Sequence, residues 1–388
     1  MPFNNRIADL AHEAAAWRHD FHAHPEVLYE VHRTAARISE LLTGFGVDEV
    51  ATGIGGTGVV GIVHGNRPGK TIGLRAEMDA LPMTEATGLP YASTYPGRMH
   101  ACGHDGHAAM LLGAAKYLSE TRDFAGSVAL IFQPAEEGGA GGRAIAEDGL
   151  FQRWPIEEVY ALHNMPGVPE GHFMTRPNAI LASADTFDIV IEGKGGHAAW
   201  PHTIADVIVA AGQIIAALQT IVSRETDPLK SAVLSLTRLE GGSAYNVMPD
   251  SARLSGTFRA LDTSVRDRVE KRLVEISEGI AAALNVRATV TIDRICGVVA
   301  NDPSRTAFCA DVATALVGAE KVTTDMDPLM GGDDFCYLLD HRPGSYVFVG
   351  NGDTAALHTV QYDFNDRLIP LGVAYWVRLA QAASSSSL

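Results

Sequence analysis

Apolar and polar positions follow two different grammars along this chain. In the first part, residues 71–76 (TIGLRA), 127–133 (SVALIFQ) and 159–162 (VYAL) are apolar runs without alternation. Such runs read as strands covered on both faces. A helical stretch beginning HDGHAAM lies between the first two, and a shorter one closed by Gly149 lies between the second and third. This alternation predicts an α/β domain with a largely parallel sheet. The first twenty residues predict an amphipathic helix with Ile7, Leu10, Ala14 and Trp17 on one side. They lack a basic flank followed by an apolar core, so no secretory signal is expected.

From about Thr186 the pattern changes. Residues 186–193 alternate like a one-sided strand, and a long apolar helix follows from Ile204. Asp206, Gln213 and Gln219 interrupt that helix, which favours a buried helix over a membrane span. Residues 251–260 alternate strictly, with Arg253, Ser255, Thr257 and Arg259 on one face and Ala252, Leu254 and Phe258 on the other. The following helix places Val265, Val269, Leu273, Ile276 and Ile280 on one stripe, and ATVTIDRI ends the segment as a strand. The order βαββαβ is the ferredoxin-like split unit. The expected organisation is therefore a discontinuous α/β domain, 1–184 and 296–388, interrupted by an inserted domain at 185–295. The serine-rich tail is expected to fray.

Composition narrows the function. Thirty Lys and Arg against 46 Asp and Glu give a net charge of −16 in 388 residues. No basic stripe is available for phosphates, which excludes nucleic acid and disfavours an anionic membrane surface. Four Cys make no disulfide framework, so a reducing, cytoplasmic setting is expected. The fifteen His are the unusual entry.

Candidate chemistry gathers at the predicted strand ends, where open α/β sheets place their sites. In MHACGHDGH, Cys102 and His104 flank a glycine and can converge on one ion, although a free Cys is also a common small core residue. His100 and His107 read as support for that pair. FQPAEEGG delivers Glu136 and Glu137 together after a strand. Adjacent side chains diverge, so one carboxylate can bind metal while its neighbour faces the attacking water. Asp79, His163 and His358 each follow a strand as well. In the inserted segment, His197 occupies a glycine-rich turn, and Asn246 and Arg259 lie in NVMPDSARLSGTFRA. His22 and His24 look like a metal pair but follow the first helix, and they read as structural. Cys296, Cys309 and Cys336 read as buried free thiols.

These motifs, in this order and nearly end to end, resemble the hippurate hydrolases and auxin-conjugate hydrolases. Those are the N-acyl-amino-acid amidohydrolase branch of the di-metal exopeptidases related to carboxypeptidase G and aminoacylase. The resemblance implies a di-metal exopeptidase-like catalytic domain with an inserted lid and dimerisation domain. It implies that Cys102, His104, Glu137, His163 and His358 hold two divalent ions, with zinc, manganese, cobalt and nickel all open. Glu136 would be the general base and Asp79 the partner of a ligand. His197 would reach into the other subunit's site of a homodimer or homotetramer to stabilise the oxyanion. Asn246 and Arg259 would contact an N-acyl amino acid, with Gly331 and Gly332 bordering the pocket. Such an anionic substrate must be drawn in by the ions and Arg259 against the field of the whole protein. A di-metal dipeptidase and a non-catalytic metal-dependent binding protein are the alternatives. Three positions depart from the family: Glu77 replaces an Asp, Gly332-Asp333 replaces Ser-Glu, and Val207 replaces a Pro.

Overall fold

The computed structural model describes residues 5–383, so the serine tail lies outside the described residues. The chain divides into two compact units. The first comprises Met1–Ile180, Ala300–Asp327 and Asp334–Leu388; the second comprises Leu181–Val299 and Pro328–Asp333.

The first unit opens with α1 (Asn5–Ala23), whose buried stripe is Ile7, Leu10, Ala14, Arg18 and Phe21. The periodicity predicted Trp17 on that stripe. Trp17 packs partly buried against that core, its ring 5.3 Å from that of Phe45, while the charged Arg18 beside it is fully buried. Helix α2 (His32–Gly44) leads to a hairpin, β1 (Glu49–Ile54) and β2 (Gly58–His64). Next come β3 (Arg67–Glu77), α3 (His104–Thr121), β4 (Ala125–Gln133), α4 (Gly141–Glu147) and β5 (Ile156–Pro166).

The second unit is the βαββαβ segment: β6 (Ser183–Glu192), α5 (Val207–Thr220), β7 (Ala232–Gly241), β8 (Ser251–Ala260), α6 (Thr263–Ala283) and β9 (Arg287–Cys296). Its sheet runs β7-β8-β6-β9, antiparallel throughout, with the first and third strands in the middle. Asp206 and Asp262 cap the two helices, each accepting two backbone N–H groups that helix geometry leaves unpaired. Phe187, Ile189, Ile191, Ile214, Leu254, Phe258, Val269 and Leu273 form the core. With its π-helical extension to Glu225, α5 is long and apolar enough, by length and composition, to cross a membrane. The sequence suggested a buried helix, but only one face is buried, through Val207, Ala210, Ala211, Ile214 and Leu218. Ile208 and Val209 on the other face are exposed.

The chain then returns to the first unit with α7 (Pro303–Val317), β10 (Gly344–Gly352) and α8 (Ile369–Ala383). The large sheet runs β1-β2-β4-β3-β5-β10 and continues into short strands at Phe173–Met174 and Val322–Thr323. Strands β4, β3, β5 and β10 are mutually parallel, whereas the β1–β2 hairpin adds antiparallel to β4. The sheet is thus mixed rather than largely parallel. Its parallel centre brings the carboxyl ends of four strands to one edge, and α3 begins at that edge. Helix α3 is held close to α8 by glycines: a Cβ on Gly113 would meet Val373 at 2.5 Å, and one on Gly372 would meet Met110 Sδ at 1.9 Å.

Candidate metal centre

The loop before α3 is shaped by its glycine. Gly103 has φ +98°, a conformation that L residues rarely adopt, and it delivers Cys102 and His104 from the turn that opens the helix. A Cβ there would lie 2.2 Å from Asn164 Oδ1 and 2.7 Å from Tyr362 Oη. Substituting Gly103→Ala therefore combines backbone strain, worth about 1–3 kcal/mol, with overpacking of similar size. The expected outcome is a thermal midpoint lowered by several degrees together with reduced metal retention. A melt and a metal assay that match the wild type would remove the loop's claim to be conformationally fixed.

Two imidazoles are set in the same tautomer by their carbonyl partners. His104 Nδ1 donates to the Asp79 carbonyl at 2.8 Å, and His163 Nδ1 donates to the Asn164 carbonyl at 2.7 Å. In the neutral ring this leaves the lone pair on Nε2, which His163 presents directly and His104 presents once its proton is displaced. His163 Nε2 is 3.4 Å from Cys102 Sγ. His104 Nε2 is buried and makes no hydrogen bond among the described residues; its carboxylate neighbour, Glu136 Oε2, is 3.9 Å away.

The carboxylates are placed by Asp79, just beyond β3. Its two oxygens accept the backbone N–H groups of Glu136 and Glu137 at 3.0 and 3.1 Å, fixing a turn in which Ala135 has φ +55°. Glu137 Oε1 lies 3.3 Å from His358 Nε2. His358 occupies a loop after β10, with φ +60°, and its N–H donates to the Ala101 carbonyl at 2.8 Å. Potential ligand atoms thus form two overlapping triads, Cys102–His104–His163 and Cys102–Glu137–His358, each with its atoms within 4.8 Å of one another. A third grouping, His104–Glu136–Glu137, bridges them.

The electrostatics point to a cation. Burial, then the charges of Glu137, Glu136 and Glu77, pushes the Cys102 thiol well above its ordinary pKa. Burial would lower the His104 pKa, but the Asp79 hydrogen bond and the surrounding carboxylates outweigh it and raise it to about 10. Burial and the neighbouring His107 charge keep His163 well below its ordinary value, hence neutral. Buried thiol, imidazole and carboxylate facing one another, with an orphaned imidazole nitrogen, form a donor set suited to divalent ions. Ion uptake at such a cluster releases protons.

Beneath the cluster runs a buried polar chain. His107 bonds Glu77 Oε2 at 2.9 Å and Asn164 Oδ1 at 2.8 Å, and Asn164 Nδ2 donates to Tyr362 Oη at 2.7 Å. Glu77 pairs with Arg75, which also donates to Gln133 at 2.9 Å and Asp334 at 2.8 Å. Glu77 thus supports the site from below, through His107. His100 is fully buried, and neither ring nitrogen has a hydrogen-bond partner among the described residues.

The remaining candidates lie in the second unit. His197 forms a two-residue ribbon with Val247, its neighbour Ala198 N–H donates to the Asn246 carbonyl at 3.0 Å, and its ring lies 4.8 Å from that of Trp200. Arg259 on β8 donates to Thr257 Oγ1 at 2.5 Å. A Cβ on Gly332 would meet Cys296 Sγ at 2.8 Å and Ala184 Cβ at 3.1 Å, so glycine fits its neighbours at this position. Gly331 accepts the Ala182 N–H at 2.8 Å through its carbonyl.

Residues 73–382 match the family described as peptidase family M20/M25/M40. The chain belongs to that family. It is 40% identical to the hippurate hydrolase of Campylobacter jejuni over 374 residues, covering 96% of this chain and 97% of that protein. It is 42% identical to the N-acetyl-L-cysteine deacetylase of Bacillus subtilis, covering 89% and 82%. Among solved structures it superposes on a Bacillus subtilis dinuclear metal binding peptidase of the M20 family with a TM-score of 0.85. The identity there is 31%, over 98% of this chain and 99% of that one.

This M20 chain is accordingly a hydrolase. Of the residues singled out by sequence, Asp79, Cys102, His104, Glu136, Glu137, His163 and His358 converge within the first unit. His22, read as structural, is buried beneath the α3 N-terminus, where it bonds Asp105 at 2.8 Å. Four contributors went unrecognised: Arg18, Arg75, Asn164 and Tyr362. Arg18 carried a readable signal, a charge on the helical stripe of α1; Asn164 and Tyr362 carried none.

Proposed function

We propose that this chain hydrolyses the amide bond of N-acyl amino acids to a carboxylic acid and a free amino acid. The reading is supported chiefly by two donor triads that share Cys102 beside Glu136, in a chain 40% identical to a hippurate hydrolase. Cys102, His104, Glu137, His163 and His358 would hold two divalent ions. The thiolate favours zinc, and the imidazoles and carboxylate also suit manganese, cobalt or nickel. When bound, the ions supply Lewis-acid polarisation of the amide carbonyl and a lowered water pKa. Glu136 Oε2, part-exposed at the rim of the cluster, takes the proton of the attacking water and returns it to the leaving nitrogen. Asp79 keeps that carboxylate aimed by holding its backbone. Arg259 pairs with the substrate carboxylate, and Asn246 and the Gly331–Gly332 backbone complete the substrate contacts. His197, 4.8 Å from the exposed Trp200, donates to the oxyanion in the site of a second copy.

A dimer through the second unit accords with the exposed apolar side chains Ile208 and Val209 on α5 and Val233 and Leu239 on β7. Four buried free cysteines accord with a reducing compartment, the cytoplasm.

The test is a panel of hippurate, N-acetyl and indole-acetyl amino acids beside dipeptides, scored by amine release on protein of measured metal content. Chelator-sensitive release from N-acyl amino acids is expected. Turnover confined to dipeptides would replace the reading with a dipeptidase.

A further inference from the structure

Arg18 lies on the buried stripe of α1, one turn before the buried His22, and its side chain is fully buried. A guanidinium in that position is costly unless every direction of its fork is met by a carboxylate. Here the partners come from two places. Nε donates to Asp105 Oδ2 at 2.8 Å, Nη2 donates to Asp363 Oδ1, and Nη1 lies 3.4 Å from Asp366 Oδ1. The Tyr91 ring lies under the guanidinium at 4.8 Å, and Tyr91 Oη donates to Asp363 Oδ2 at 2.9 Å. His22 Nδ1 shares Asp105 Oδ2 at 2.8 Å, and His19 Nε2 holds Asp366 Oδ2 at 2.6 Å.

The two sets of aspartates have different attachments. Asp105 is the residue after His104, in the first turn of α3. Asp363 and Asp366 end the irregular segment that leaves β10 and carries His358. No strand or helix spans the residues between Gly352 and Asp366. One side chain from a third element therefore ties the Cys102–His104 turn to the His358 segment.

We propose that Arg18 is a positioning residue that sets the spacing between these two segments, and through it the geometry of the Cys102–Glu137–His358 triad. The functional meaning of the spacing rests on the metal-hydrolase reading above; the clamp itself does not. Lysine cannot reproduce the clamp, because its three N–H donors radiate from one nitrogen, whereas Arg18 meets three carboxylates from three separate nitrogens of a rigid planar fork. The experiment compares Arg18→Lys, and separately Asp363→Asn with Asp366→Asn, against the wild type. The second variant alters only half-exposed carboxylates, so it keeps the test open if the first fails to fold. Metal affinity is titrated ion by ion, hydrogen exchange is followed over residues 353–365, and the thermal midpoint is recorded.

The expected result is loss of one ion ahead of the other, its affinity reduced about 10–100-fold as for other residues that orient ligands. Faster exchange across 353–365 should accompany it. Wild-type affinity for both ions, or equal weakening of both in step with the melting point, would overturn the proposal. If the wild type itself takes up no metal, the hydrolase reading falls, and the clamp is then judged on exchange alone. Unchanged protection of 353–365 in the variants would end it, and faster exchange confined there would sustain it.

Discussion

Replacing Glu136 with Gln is expected to leave both metal ions in place and to remove turnover by about 10²–10⁴-fold, the usual contribution of a positioned base. The amide is isosteric, and the backbone N–H that Asp79 holds at 3.0 Å is untouched. The two triads that share Cys102 do not include Glu136, so its neutralisation leaves five donors. What disappears is an oxygen able to take a proton at the edge of the cluster, 3.9 Å from His104 Nε2. Metal analysis and steady-state kinetics on the same preparation decide the matter. A variant that retains a tenth of wild-type kcat would rule Glu136 out as the base, and one that loses an ion would make it a ligand.

The second large effect is expected at Cys102. Because both triads pass through its sulfur, Cys102→Ala should lower the occupancy of both ions, not of one alone. The metal-free fold should suffer little. The thiol is buried among carboxylates that push its pKa well above the ordinary range, and removing it leaves no charge unpaired. Activity and metal content should therefore fall together while the melting temperature of chelator-treated protein stays near that of the wild type. Full retention of two ions would show that the sulfur is a small core residue and nothing more. The contrast with Gly103→Ala is informative, since that substitution reaches the metal cluster only by moving the backbone.

How much of this was legible in the sequence differs between the sheet and the site. The unpatterned apolar runs at 71–76, 127–133 and 159–162 became β3, β4 and β5, because strands covered on both faces need no alternation. Strict alternation at 251–260 became β8, with Ala252, Leu254 and Phe258 inward. The β1–β2 hairpin was not foreseen. Its second strand, GVVGIVH, is apolar and glycine-rich, and nothing in it announces antiparallel addition to β4.

In the site, local signals worked where chemistry is dense along the chain, as in Cys102–His104 and Glu136–Glu137. They failed where an interaction joins distant segments. Tyr362 meets Asn164 across 198 positions, and Arg75 meets Asp334 across 259. Arg18 shows the same limit from another side. A charge on an apolar stripe is visible, but the aspartates that make it tolerable are 87 and 345 residues away.

The order of strands in the first unit also governs when the protein can become active. Between Cys102 and His358 the ribosome must make the whole second unit and then β10, the strand that pairs with β5 beside His163. At about 5–20 residues per second, the roughly 250 residues separating the two proposed ligands take on the order of ten seconds or more to appear. For about the last 195 of those residues the nascent chain already has the proposed donors Cys102, His104, Glu137 and His163 but not His358, and the sheet edge where β10 will lie is open. A partial donor set of this kind is exposed to whichever ion or chaperone reaches it first. The proposed donor set thus predicts that ion binding begins during translation, before the full site is assembled.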